Sequence, residues 1–281
     1  MQARPSPYIF GAMSLGADEA RIEDHIRVAR RAMELGLWFH ASLTYHRGFS
    51  FMALRCAFDE APSQRPPLML KIRDASPRWL RFECEDCCRR LGIDGIDVAQ
   101  LVGQDRQGPD HLIAQLQRGS GPVLDELASL RQRGLIRQAV LYMDPDTSEA
   151  AVAAARGSEL INGLTGYWNL WQDPCTPAAW QALREAQLPL IAIRTLAGAT
   201  ERPPALAAEA QAIAEAAGHG SQLQLALDLV ASEDRVLASV GGTGSIAHLE
   251  ELATAAKQAK ALAPKLLTRI TALRQASQAQ R

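Results

Sequence analysis

Short apolar runs of 6 to 9 residues recur along the chain, and segments with a helical spacing of apolar positions stand between them. The runs fall at 8–15, 37–42, 68–73, 96–102, 137–143, 161–168, 188–196 and 235–241, and they are apolar on both faces. A strand with two apolar faces belongs in the middle of a layered structure, covered by helices on one side and by other strands on the other. Helical periodicity is read at 19–35, 77–91, 123–133, 148–156, 177–186 and 223–232. Strand and helix alternating eight times point to an α/β protein of a single kind, an eight-stranded parallel (β/α)8 TIM barrel. A last helix at 264–276 has no strand after it and is expected on the outside or floor of the barrel, giving one barrel domain over residues 1–281.

Composition narrows the partners. With 30 basic and 31 acidic residues the net charge is −1, and the basic residues are scattered, so neither nucleic acid nor an anionic membrane surface is expected. No stretch approaches the roughly 18 continuous apolar residues of a membrane span, and the first residues have no apolar signal core. A cytoplasmic protein with a small-molecule ligand in the barrel mouth is the expectation. The five cysteines, Cys56, Cys84, Cys87, Cys88 and Cys175, lack the spacing of a disulfide framework. Cys84, Cys87 and Cys88 share one helix face, but no second ligand cluster accompanies them, so burial as small hydrophobes is favoured over a metal site and no metal is expected.

The basic residues carry one further signal. Of the 30, 26 are arginine and 4 lysine, and Lys71 is the only lysine before Lys257. It sits in the apolar run Leu68-Met69-Leu70-Lys71-Ile72. An ammonium changes its pKa when desolvated and so serves acid/base or Schiff-base chemistry, which an arginine does not; the alternative is a stem that snorkels to the surface. Barrel chemistry sits at the C-terminal ends of strands and in the loops that follow. That rule selects residues 40–45, Lys71, residues 102–105, Tyr142, Met143, Trp168, Asn169, Arg194, Thr195 and the run Gly241-Gly242-Thr243-Gly244-Ser245. The glycine run offers either an anion site at a helix N-terminus or an ordinary tight strand-to-helix turn. Trp38, Tyr142, Trp168 and Trp171 suggest an aromatic pocket.

Several runs together resemble the aldo-keto reductase family over nearly the whole chain. They are Phe10-Gly11-Ala12-Met13-Ser14-Leu15-Gly16, Glu34-Leu35-Gly36-Leu37-Trp38-Phe39, Arg90-Leu91-Gly92-Ile93-Asp94-Gly95-Ile96-Asp97-Val98, Leu124-Asp125-Glu126-Leu127 with Gly134-Leu135-Ile136-Arg137, Trp168-Asn169-Leu170, Leu196-Ala197-Gly198 and the Gly242 turn. The resemblance implies the same barrel and a tetrad of Asp, Tyr, Lys and His. Here the aspartate position is His40, the tyrosine is Tyr45, the lysine is Lys71 and the histidine position is Val102. The nicotinamide-holding positions fall on Tyr142, Met143, Thr165 and Ile193, none of which keeps the family's group. Beyond the eighth strand Gly242, Thr243, Gly244 and Ser245 remain, His248 stands where many members carry Arg or Gln, Glu251 matches the adenine-contacting glutamate, and Leu252 replaces an asparagine.

The resemblance therefore implies a vestigial nucleotide or anion site, NADP(H) bound weakly or not at all, and a reacting triad of Tyr45, Lys71 and His40. Tyr45 is expected within hydrogen-bond reach of Lys71 or one water away, with the ammonium stabilising tyrosinate. Three functions follow: isomerase- or lyase-like acid/base chemistry on a small carbonyl or hydroxyl compound, NADPH-dependent reduction in a rearranged site, and a non-catalytic ligand-binding or subunit-interaction role.

Overall fold

The computed structural model describes residues 6–73, 76–103, 108–196 and 203–279. Gln104, Asp105, Ala197 and Gly198, singled out above, lie outside the described residues. Eight strands, β1 (Tyr8–Gly11), β2 (Trp38–Ser42), β3 (Leu68–Ile72), β4 (Ile96–Leu101), β5 (Ile136–Tyr142), β6 (Ile161–Tyr167), β7 (Leu190–Ile193) and β8 (Val236–Gly241), pair in sequence order. Every pairing is parallel, and β8 returns to β1 to close the barrel. The helices around it are α1 (Ile22–Glu34), α2 (Phe49–Glu60), α3 (Pro77–Leu91), α4 (Gly108–Gln117), α5 (Pro122–Gln132), α6 (Ser148–Arg156), α7 (Pro177–Glu185), α8 (Pro204–Ala216), α9 (Gln222–Ala231), α10 (Ile246–Gln258) and α11 (Pro264–Gln278).

The period of two along each strand divides the core in two. Phe10, Phe39, Leu70, Ala99 and Leu141 point outward and pack beneath the helices in one continuous cluster. Ile9, Trp38, Met69, Val98, Val140, Ile191 and Ala238 point inward and fill the barrel, so its lower part is solid. Local signals bound the helices: Pro77 occupies the first turn of α3, and Gly92 ends it at φ 61°, a left-handed position that suits glycine. Cys84, Cys87 and Cys88 are buried on α3, where burial pushes the Cys88 thiol up to about 11 and the other two higher still.

Helix α11 packs outside the barrel and is tied down twice. Arg269 pairs with Glu209 of α8 at 2.8 Å, and the buried Arg274 donates to the Asn169 carbonyl at 3.0 and 2.6 Å and to Asp173 at 2.8 Å. Among the described residues no helix is long and apolar enough to cross a membrane.

Candidate active site

Above the filled lower barrel, the same alternation turns a ring of longer, polar side chains inward. His40 follows Trp38 on β2, Lys71 follows Met69 on β3, Gln100 follows Val98 on β4, and Tyr142 and Tyr167 end β5 and β6. They line a cavity of about 490 Å³ at the C-terminal mouth, together with Tyr45, Arg194, Val102, Ile193, Val240, Met13, Ser14 and the backbone of Gly241 and Gly242.

His40 is buried, and its Nε2 lies 2.7 Å from Gln100 Oε1. The Gln100 amide in turn donates to Thr165 Oγ1 at 3.0 Å. This chain runs from β2 through β4 to β6, and because Gln100 uses its NH2 on Thr165, it presents its oxygen to His40, which holds the Nε2–H tautomer. Burial lowers the His40 pKa to about 4; the Lys71 charge acts in the same direction and the Gln100 bond opposes both. His40 is therefore neutral at pH 7 and oriented by Gln100.

Lys71 is half-buried, paired in register with Gln100. Its pKa is lowered, first by burial and then by Arg73 and Arg194, with Glu83 opposing. Among the described residues no carboxylate forms an ion pair with it, and Glu83 accepts the Arg73 N–H at 2.9 Å. Tyr45 opens a 3-10 turn (Tyr45–Gly48) in which His46, Arg47 and Gly48 take successive left-handed conformations at φ 46°, 56° and 94°. The turn brings Tyr45 back over the mouth, its ring 6.4 Å from that of His40.

Tyr45 and Lys71 share the cavity without a hydrogen bond between them. The Tyr45 phenol is pushed up to about 12, by burial first and by Tyr167 second, and the cation that opposes this is Arg194. The expected stabilisation of tyrosinate by Lys71 is thus replaced by a protonated phenol facing Arg194, because burial outweighs the nearest positive charge.

Arg194 follows β7 with φ 55°, unusual for a residue bearing a Cβ. Asn169 Nδ2 donates to its carbonyl at 3.1 Å, and the guanidinium carbon sits 4.8 Å above the Tyr167 ring. Tyr167 meets Tyr142 edge-on at 5.6 Å, and burial raises the Tyr142 pKa. Gln100 and Tyr167 were not singled out as site residues from the sequence, although the alternation that turns Lys71 inward turns them inward too. The expected aromatic pocket is corrected: of its four members only Tyr142 lines the cavity. Trp38 belongs to the filled barrel interior, Trp168 lies 5.2 Å from Trp180 and 5.8 Å from Arg274, and Trp171 borders a separate hollow of about 210 Å³.

The glycine run is divided. A Cβ on Gly242 would lie 2.3 Å from the Gly11 carbonyl oxygen, so glycine is required where β8 crosses the end of β1. Thr243 Oγ1 accepts the Ser245 N–H at 3.1 Å, which satisfies one of the turn's donors internally. Of the proposed nucleotide or anion residues only Gly242 reaches the cavity. Thr243, Gly244 and Ser245 form the turn into α10, His248 is exposed on that helix, and Glu251 borders a groove of about 410 Å³ shared with Ser221, Gln224 and Thr254.

No protein-family model and no curated protein sequence matches the chain. Solved structures do match. A thermostable aldo-keto reductase in complex with the inhibitor epalrestat superposes with a TM-score of 0.77 at 18% identity, over 95% of this chain and 94% of that one. An aldo/keto reductase from Klebsiella pneumoniae in complex with NADP and acetate gives 0.73 at 20% identity, over 95% and 90%, and an aldo-keto reductase from Bacillus halodurans gives 0.71 at 21%, over 96% and 92%. The chain has the aldo-keto reductase barrel fold.

Within that fold, the residues at the nicotinamide end do not fit the cofactor. Met143 is fully buried in the outer core, the Thr165 hydroxyl is taken by Gln100, Ile193 adds only apolar surface, and Tyr142 with Tyr167 projects into the mouth. None offers an amide, and the polar groups they leave facing the cavity are the phenols of Tyr142 and Tyr167.

Proposed function

We propose that this aldo-keto-reductase-like barrel has left hydride transfer behind and moves a proton at the carbon next to a carbonyl, in an isomerase- or lyase-like reaction on a small carbonyl or hydroxyl compound. The observation that carries the reading is Lys71: an amine inside the cavity, with a lowered pKa and no carboxylate bonded to it among the described residues. Such an amine gives up its proton more readily than an exposed lysine and can act as a general base. Lys71 removes the proton from the carbon, and the electron pair of that C–H bond passes to the carbonyl oxygen. Tyr45, held protonated, donates a hydrogen bond to that oxygen. The Lys71 ammonium then returns the proton to the neighbouring atom, or a leaving group departs from it. His40 stays neutral against Gln100 and positions the polar side of the cavity.

The test is proton exchange followed by NMR in D2O over sugars, keto acids and aldehydes. Lys71→Arg and Tyr45→Phe should each lower exchange by about 10²-fold or more, and the double variant little further, since the two act as a unit. Unchanged exchange in both single variants, or none with the wild type, refutes the reading.

The groove beside Glu251 and the close approach of the Gly242 turn to Gly11 favour a second reading, an NADPH-dependent oxidoreductase with a rearranged site. Several lost hydrogen bonds at roughly 1 kcal/mol each make NADPH binding weak or absent the expectation. A micromolar or tighter Kd by calorimetry would favour the second reading instead.

A further inference from the structure

We propose that the cavity is built for an anion, and that Arg194 with Lys71 selects a substrate carrying a carboxylate beside its carbonyl, a 2-oxo acid. This rests on the reading of the cavity as an acid/base site and adds the substrate class. Among the described residues lining the cavity there is no aspartate or glutamate, while Lys71 and Arg194 both face it. The two cations disfavour each other, since Arg194 is one of the groups that lower the Lys71 pKa.

Several arginines on the barrel pair with carboxylates, as Arg81 does with Glu126, Arg184 with Glu233 and Arg274 with Asp173, and others, such as Arg47 and Arg118, form no ion pair among the described residues. Among the described residues Arg194 has no carboxylate partner. Its guanidinium lies on the Tyr167 face, and its left-handed backbone is held by Asn169. Arg194 is exposed at the mouth, and its strained backbone holds the guanidinium where an anion entering the cavity meets it.

The guanidinium fork matches a planar carboxylate with two parallel hydrogen bonds. The phenols of Tyr45, Tyr142 and Tyr167 are further donors, and Val102, Ile193 and Val240 offer apolar wall for a short side chain. A carboxylate on Arg194 would orient the adjacent carbonyl in the space that Lys71 and Tyr45 border.

The experiment uses phenylpyruvate and phenylacetone, which has a methyl group in place of the carboxylate, titrated calorimetrically into wild type, Arg194→Gln and Arg194→Lys. Circular dichroism confirms that each variant folds, and Arg194→Lys keeps the charge should Arg194→Gln fail to fold. Wild type should bind phenylpyruvate at least about tenfold more tightly than phenylacetone. Arg194→Gln should erase that preference while leaving phenylacetone within about twofold, and Arg194→Lys should recover part of it. Equal binding of the two compounds by wild type, no binding of phenylpyruvate, or an unchanged preference in Arg194→Gln overturns the inference. If phenylpyruvate binds through Arg194 but its methylene protons do not exchange, the anion site stands and the acid/base reading fails. Catalysed exchange on phenylacetone with no preference for phenylpyruvate gives the reverse.

Discussion

Acid should weaken the fold through His40, and the size of the effect follows from its surroundings. His40 is buried, and its pKa falls from the ordinary 6.5 to about 4. Between those two pH values the unfolded chain carries a proton on this imidazole that the folded chain does not. Stability from the neutral ring is therefore complete above pH 6.5, declines as the pH drops towards 4, and changes no further below that. At about 1.4 kcal/mol per pH unit, the gap is worth about 3 kcal/mol. The comparison is wild type against His40→Gln, whose side-chain amide stays neutral and still donates towards Gln100 Oε1. The buried His25, which accepts the Gly16 N–H at 2.9 Å and whose pKa is also lowered by burial, is present in both proteins and cancels in the difference. Urea unfolding at several pH values between 7.5 and 4.5 should show wild type losing about 2–3 kcal/mol relative to the variant. Parallel stability curves would mean that His40 is solvated or protonated in the native barrel, and the chain from His40 through Gln100 to Thr165 would not be as described.

Other perturbations test separate parts of the structure. Gly242→Ala places a Cβ 2.3 Å from the Gly11 carbonyl oxygen and should cost about 2 kcal/mol; an unchanged Tm would show that the turn yields freely. Arg274→Met removes three hydrogen bonds to Asn169 and Asp173 and should cost about 3 kcal/mol by urea unfolding, with faster amide exchange in α11; wild-type stability would refute the role of Arg274 as the tie of that helix. With a thiol reagent on the native protein, the partly exposed Cys56 should react first, and Cys84, Cys87, Cys88 and Cys175 only on unfolding. Rapid modification of all five would contradict their burial.

All eight strands were legible from their apolar runs, because a strand covered on both faces leaves a dense signal that survives without alignment. Their ends were less so. The run at 8–15 continues past the strand, since Gly11 ends β1 and residues 12–14 form a 3-10 turn in which Ala12 and Met13 prolong the apolar pattern. Helices α2, α4, α8 and α10 were not among the helical segments read; α2 is apolar around most of its circumference and α8 is rich in alanine, so neither of those two shows a clear polar face. In the site, Lys71 stood out because it is the only lysine before Lys257 in an arginine-rich chain. Arg194 was picked out only by its position at a strand end. Its aim depends on a left-handed φ and on Asn169, which sequence spacing does not announce. The environment of Tyr45 depends likewise on the consecutive left-handed residues His46, Arg47 and Gly48, so its distance from Lys71 was not legible either.

The proposed chemistry depends most directly on the protonation of Lys71. The chain has 4 lysines, so labelling the lysine side chains at Cε gives few NMR signals, and Lys71→Arg identifies the one that belongs to Lys71. Its chemical shift is followed with pH in the native protein and again in urea. The midpoint for Lys71 should be lower in the folded barrel than in the unfolded chain, because burial and the charges of Arg73 and Arg194 outweigh Glu83. A midpoint equal to or above the unfolded value would mean that Lys71 is solvated or paired with a carboxylate, and it would remove the base on which the proposed chemistry rests.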